Sequence, residues 1–242
     1  MKVSKYNRIY IAGNLVVNEQ ISLSEEHSHY LTIVLRQRAG DRIRVFNHEQ
    51  GEYLAKLYTF GKKDYKLEIL EKLRDPENPA PLIAAPAIIK NEKFLLSLEK
   101  SVELGATKIC PLMCARSQLR TLNIPRLERC IIEATEQSER LSVPQINAAT
   151  MLANFIQDID VDNILVCNEN EVESKSIKHL PEGVLKGSLA VVVGPEGGFS
   201  DDEIKFLDSS SKVISVSLGH TLLRSETAML VALSQIQLMR AL

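Results

Sequence analysis

Two glycine-containing stretches in the last quarter of the chain hold the residue types that chemistry needs. The first is VVVGPEGGFSDDEI (191–204), three valines running into Gly194-Pro-Glu-Gly-Gly. Glycines at such a turn let a ligand approach the main chain closely. A phosphate is a poor candidate for that ligand. The dinucleotide fingerprint G-x-G-x-x-G is not matched, and Pro195 removes an N–H that a phosphate would want. No G-x-x-x-x-G-K-[ST] occurs either, so nucleotide triphosphatases and nicotinamide enzymes are not expected. A tight strand-to-helix turn would account equally well for the first stretch alone. The second stretch, SVSLGHTLLRSETA (215–228), repeats the arrangement and adds Arg224 and Glu226 where a helix begins. Two neighbouring strands that both end in glycine turns would form a crevice at their carboxyl ends, the usual ligand position in an open α/β sheet.

The elements that must position these turns are legible in the hydrophobic pattern. Residues 1–73 read as short strands, with DRIRVF (41–46), EYLAKLY (52–58) and YKLEIL (65–70) alternating apolar and polar positions. One helical segment, LSEEHSHYLTIVLR, has Ser24 as its N-cap. Several strands and one helix predict a small β-barrel. RDPENPAP (74–81) places three prolines in eight residues and reads as a linker. From residue 82 to 242 strands and helices alternate, which predicts an α/β domain. Within it Phe94, Leu98 and Val102 share a helical face that Gly105 ends, and LAVVVG is apolar throughout, as a central parallel strand should be. Ser200 and Glu203 match a capping box for the helix after Phe199.

Composition narrows the class. The chain has 242 residues, 45% apolar and 25% charged, the profile of an ordinary globular protein. No apolar run approaches the ~20 residues that span a bilayer, and the N-terminal stretch lacks the apolar core of a secretory signal, so a cytoplasmic location is expected. Cys110, Cys114, Cys130 and Cys167 lack metal-site spacing and are expected to be reduced thiols. The first 140 residues carry 22 Lys and Arg against 18 Asp and Glu, whereas the last 102 carry 7 against 13. A polyanionic partner is therefore expected to touch the first part.

The two glycine turns together resemble the C-terminal signature of the SPOUT class of RNA methyltransferases. Further blocks extend the resemblance from end to end: RIYI with Arg8, HYLTIVLRQRAGD (29–41), IIKNEKFLLSLEKSVELGATKICPL (88–112), ARSQ (115–118) and EATEQSERLSVPQI (133–146). These blocks resemble more narrowly the bacterial 16S ribosomal RNA uridine-N3 methyltransferase family, the RsmE family. The resemblance implies a PUA-like β-barrel RNA-binding domain (1–73), a linker (74–81) and a trefoil-knotted SPOUT methyltransferase domain (82–242). It implies S-adenosylmethionine as methyl donor, no metal, and 16S ribosomal RNA in the assembled small subunit as partner. The alternatives are a SPOUT enzyme acting on another RNA nucleotide, or an RNA-binding module without catalysis. The sequence departs from the family at Thr221, where an arginine is usual, and in a shortened segment between Arg116 and Glu133.

Methyl transfer to uracil N3 needs alignment of donor and acceptor, and either a base for the N3 proton or cations that stabilise the uracil anion. The candidates for the donor pocket are the backbone groups of Leu165, Gly194, Gly197, Gly198, Leu218, Gly219 and Leu223. Glu196 is a candidate either to bond a ribose hydroxyl or to cap the following helix. The catalytic candidates are Arg224 as anion stabiliser, Glu226 as base (or as cap of the last helix), and Arg8 reaching in to hold the base or a flanking phosphate. The RNA-binding candidates are Arg36, Arg38, Lys90, Lys93, Lys100, Arg116 and Arg140, with Lys93 and Lys100 on one helix face. The closing helix distributes Met229, Leu230, Leu233, Ile236, Leu238 and Met239 around more than one stripe. This predicts a homodimer through that helix, with Met229 and Leu233 expected at the interface.

Overall fold

The computed structural model describes residues 5–60, 64–117, 121–168 and 175–241. The chain divides into two compact units, residues 1–78 with 135–143, and residues 79–134 with 144–242. Residues 135–143, which the hydrophobic rhythm assigns to the second domain, thus cluster with the first. Among the described residues no helix is long and apolar enough to cross a membrane.

The first unit is built on a five-stranded sheet of β1 (Arg8–Tyr10), β2 (Gln20–Ser22), β3 (Arg42–Asn47), β4 (Gly51–Phe60) and β5 (Asp64–Arg74), in the order β1-β3-β4-β5-β2. β1 joins β3 in parallel; the other pairs are antiparallel. Period-two alternation sends Ile43, Val45, Tyr53, Ala55, Leu57, Leu67 and Ile69 into one core with Ile9 and Leu31. The strand β2 has no strong pattern in the sequence and is held by pairing with β5. Helix α1 (Glu25–His29) starts at Ser24, whose hydroxyl accepts from the His27 N–H as its N-cap position predicts, and runs into a π-helical turn, Tyr30–Val34.

The second unit is a six-stranded parallel sheet with helices on both faces. Its elements are β6 (Leu82–Pro86), α2 (Asn91–Glu103), β7 (Lys108–Ile109), β8 (Leu112–Met113), α3 (Ile124–Gln137), β9 (Gln145–Ile146), β10 (Thr150–Met151), α4 (Leu152–Asp158), β11 (Asn163–Cys167), α5 (Glu182–Lys186), β12 (Leu189–Val193), α6 (Asp201–Asp208), β13 (Val213–Val216) and α7 (Ser225–Ala241). The large sheet runs β13-β11-β12-β6-β7-β9, while β8 and β10 form a separate parallel pair. Every residue of β6 and β12 is buried, as expected of central strands covered on both faces. Helices α5 and α7 pack on one face through Leu185, Met229, Ala232, Leu233 and Ile236. Helices α4 and α6 pack on the other through Leu152, Phe155, Ile156 and Leu207.

Two expectations need correction here. The strands that carry the glycine turns, β12 and β13, are not neighbours, because β11 lies between them and pairs with both. Met229 and Leu233 are 1% and 0% exposed, committed to the core within one chain. The outward apolar residues of α7 are instead Leu230, at 37%, and Leu238, at 64%.

Candidate active site

From β11 the chain places β12 on one side and β13 on the other, so this part of the sheet is a topological switch point. Loops leaving such strands diverge and open a crevice at their carboxyl ends. A cleft of about 820 Å³ lies there, within the usual range for a small-molecule site. Its walls include Cys167 at the end of β11 with Asn168 after it, Val193 at the end of β12 with residues 194–199 after it, and residues 217–225 after β13.

The first glycine turn is shaped by its own aromatic residue. A Cβ on Gly194 would stand 3.0 Å from the ring of Phe199, so the ring can fold under the turn only if residue 194 has no side chain. Gly198 takes φ +70 and donates to the Pro195 carbonyl at 2.8 Å, which closes the turn. Ser200 and Glu203 then make the expected capping box: the Ser200 hydroxyl accepts from the Glu203 N–H, and Glu203 Oε2 accepts from the Ser200 N–H at 2.8 Å. The other oxygen of Glu203 accepts from the Ala115 N–H at 2.8 Å, which ties the loop after β8 to the same turn. Arg116, on that loop, donates through Nη1 to the Gly197 carbonyl at 2.7 Å.

The second glycine turn is held by Gly219 at φ +126, a conformation side chains other than glycine rarely adopt, with open space where a Cβ would stand. Ser225, at the start of α7, donates its hydroxyl to the Gly194 carbonyl at 2.8 Å and so links the two turns. Among the described residues no protein acceptor is found for the main-chain N–H of Leu218, Leu222 or Leu223. Such donors on a cleft wall suit a ligand read by main-chain hydrogen bonds, an adenine base among them.

The sequence candidates fall into distinct groups. Gly194, Glu196, Gly197, Gly198, Leu218, Gly219, Leu223 and Arg224 all line the cleft. Leu165 does not: it lies mid-strand in β11, fully buried and paired to Val191 and Ile214, and its strand reaches the cleft two residues later. Glu226 stands one residue past the lining residue Ser225 and is not itself in the wall; its Oε2 is buried with no partner among the described residues. Glu196 does not cap α6, whose cap is Ser200; its carboxylate forms an ion pair with Lys93.

Arg8 lies away from the cleft lining. Its side chain is buried in the first unit, where Nε donates to Glu52 at 2.6 Å. Its remaining nitrogens donate to the carbonyls of Thr135, Glu136 and Arg140, at 3.0, 3.4 and 2.5 Å, and the guanidinium lies 3.5 Å over the Phe46 ring. It therefore clasps residues 135–140. Burial pushes its pKa down while Glu52 pushes it up.

The basic candidates divide as well. Arg36 and Arg38 are exposed beyond the π-helical turn, and Lys90 is exposed at the N-cap of α2. Lys100 is paired with Glu99 at 2.7 Å and Glu103 at 2.8 Å, so its face of α2 carries little net positive charge. Arg140 is partly buried, bonds the Ser142 hydroxyl at 3.0 Å, and is pushed down by burial to about 10. Gln118 and residues 119–120 of the shortened segment lie outside the described residues. Sequence reasoning missed Asn168, Phe199, Ser217 and Ser225. The rule that ligands sit beyond the carboxyl ends of parallel strands would have pointed to Asn168 once β11 was placed centrally.

The four cysteines are free thiols, with Cys110 and Cys114 buried. Cys114 and Cys167 are each pushed up to about 12, chiefly by burial.

Comparison with known proteins places this architecture. A family model described as an RNA methyltransferase domain matches residues 76–237, and one described as an RNA methyltransferase PUA domain matches residues 23–70. Ribosomal RNA small subunit methyltransferase E of Rickettsia conorii is 41% identical over 97% of this chain and 96% of its own. The protein of the same description from Buchnera aphidicola of Acyrthosiphon pisum is 30% identical over 99% of this chain and 96% of its own. Among solved structures, a putative methyltransferase of Legionella pneumophila with bound S-adenosylmethionine superposes with a TM-score of 0.87 at 29% identity, covering 96% of this chain and 97% of its own. A ribosomal RNA small subunit methyltransferase E of Neisseria gonorrhoeae bound to S-adenosylmethionine does so with a TM-score of 0.87 at 28% identity and the same coverage.

Proposed function

Because this chain belongs to the ribosomal RNA small subunit methyltransferase E family, we propose that it methylates N3 of one uridine in 16S ribosomal RNA, with S-adenosylmethionine as donor. The observation that carries this reading is the cleft at the switch point, walled by two glycine turns and bordered by Arg224. The main-chain N–H groups of Leu218, Leu222 and Leu223 suit the adenine ring, and the open space over Gly219 suits a close approach. The donor supplies an electrophilic methyl group on a sulfonium, so no metal is called for.

The protein's part is orientation and charge. Ser225 and Arg116 brace the first turn from both sides, which keeps the cleft walls in place without reorganisation when ligand enters. Arg224, exposed on the cleft wall, stabilises the uracil anion as the N3 proton passes to solvent water, and the nitrogen lone pair so freed attacks the donor methyl. Glu226 stands outside the wall, so in this reading it is no base; charge stabilisation by Arg224 replaces it.

Domain roles follow the same reading: the first unit, a PUA-like fold, binds RNA through Arg36 and Arg38, and the second forms the trefoil knot of its superfamily. Two copies pair through α7, with Leu230 and Leu238 in the interface. The substrate is the assembled small subunit in the cytoplasm. Mass mapping of modified nucleotides after deletion of the gene tests the target: the small-subunit N3-methyluridine should vanish and return with the intact gene. Its persistence would refute the assignment. RNA affinity should fall steeply with salt, since phosphate contacts release counterions.

A further inference from the structure

Lys93 has a partner that the sequence pattern does not show. Seven residues from Lys100 on α2, it belongs to an apparent basic stripe suited to RNA. In the fold its ammonium is turned onto the carboxylate of Glu196, inside the first glycine turn. Glu196 lines the cleft, and Lys90 and Arg224 add positive charge near it.

We propose that Lys93 is a positioning residue for the methyl donor, acting through Glu196. Glu196 sits on a turn between Pro195 and Gly197, and nothing else among the described residues bonds its side chain. A glutamate has three rotatable side-chain bonds, so without a partner the carboxylate would sample several directions at entropic cost to binding. The ion pair reduces that freedom and leaves the second carboxylate oxygen to accept from a ligand. It also sets the chemistry of that ligand group. A carboxylate whose charge is already balanced by an ammonium is suited to a neutral hydroxyl donor, and the vicinal hydroxyls of a ribose are such donors. Lys93 and the surrounding cations hold the Glu196 carboxyl below the usual carboxylate range, so it remains an acceptor through mildly acidic pH.

This inference rests on the methyltransferase reading, and its test separates the two. Calorimetric titration with S-adenosylhomocysteine is carried out on the wild-type chain, K93M, K93R, E196Q and K93M/E196Q. K93M should weaken binding about fivefold, the change that a solvent-accessible ion pair supports. K93R should restore most of it, and K93M should have no further effect once Glu196 is Gln. Parallel titration with the 2′-deoxy analogue should show the K93M effect reduced, because the hydroxyl that Glu196 serves is missing. Unchanged affinity in K93M would overturn the assignment, as would an equal K93M loss in the E196Q background, which would mean direct contact or general damage. A K93M protein with normal donor affinity but weaker RNA binding would return Lys93 to the RNA contacts and also overturn it. A wild-type chain that binds no S-adenosylhomocysteine at all would overturn both this inference and the methyltransferase reading.

Discussion

Replacing Arg8 with methionine distinguishes a structural clasp from a catalytic cation. Methionine keeps much of the stem that packs near Phe46 but removes four hydrogen bonds, one to Glu52 and three to main-chain carbonyls. Glu52, at 2% exposure, would lose its nearest counter-charge. Breaking a buried pair by removing one partner costs about 3–5 kcal/mol. Here Arg44 at 3.6 Å and Arg74 at 3.8 Å still face Glu52, so the lower end, about 3 kcal/mol, is expected. In a chain of this size that corresponds to a fall in melting temperature of roughly 6–12 °C. The measurement is urea and thermal unfolding by circular dichroism, with S-adenosylhomocysteine titration well below the transition. Stability should fall and donor affinity should hold. Arg8→Met combined with Glu52→Gln should be less destabilised than the sum of the single changes, by about 1 kcal/mol or more. An Arg8→Met protein of wild-type stability that has lost methyl transfer would refute this reasoning and restore the substrate role that the RIYI block implies.

Leu230→Glu with Leu238→Glu should convert the proposed dimer to a folded monomer, read by light scattering; Met229→Glu should instead unfold the chain, because it places a charge in a 1%-exposed core position. A wild-type monomer would refute the dimer. Gly219→Val meets no atom but disfavours φ +126, a strain of about 1–3 kcal/mol that this exposed turn relieves by rearranging, so donor affinity should fall about tenfold with little change in unfolding; unchanged affinity would remove that turn from the pocket. Cys114, buried and raised from 9.0 to about 12, should resist iodoacetamide at pH 8 until the chain unfolds, and Cys167, raised likewise but reachable from the cleft, should react only slowly. The folded state holds these protons more tightly, so the stability they contribute is complete below pH 9 and is lost as pH rises towards 12. Rapid alkylation of the native protein would contradict this.

Local chemistry made much of this protein legible before any coordinates. The capping box at Ser200 and Glu203, the Ser24 cap, the all-apolar strand at 189–193 and the glycine turns each depend on residues within a few positions of one another. Their geometry follows from short-range hydrogen bonding and periodicity. What the tertiary structure decided was partnership at long range. Lys93 and Glu196 are 103 positions apart and Arg8 and Arg140 are 132 apart. A cation in a sequence does not say whether it will meet phosphate, carboxylate or carbonyl. The same holds for Met229, whose face of α7 is core only because α7 lies on the parallel sheet, and for β11, whose position between β12 and β13 is a matter of strand order. Side-chain type sets what a group is able to bind; chain folding alone selects which group it reaches first, because desolvation makes an unpaired buried charge costlier than any available partner.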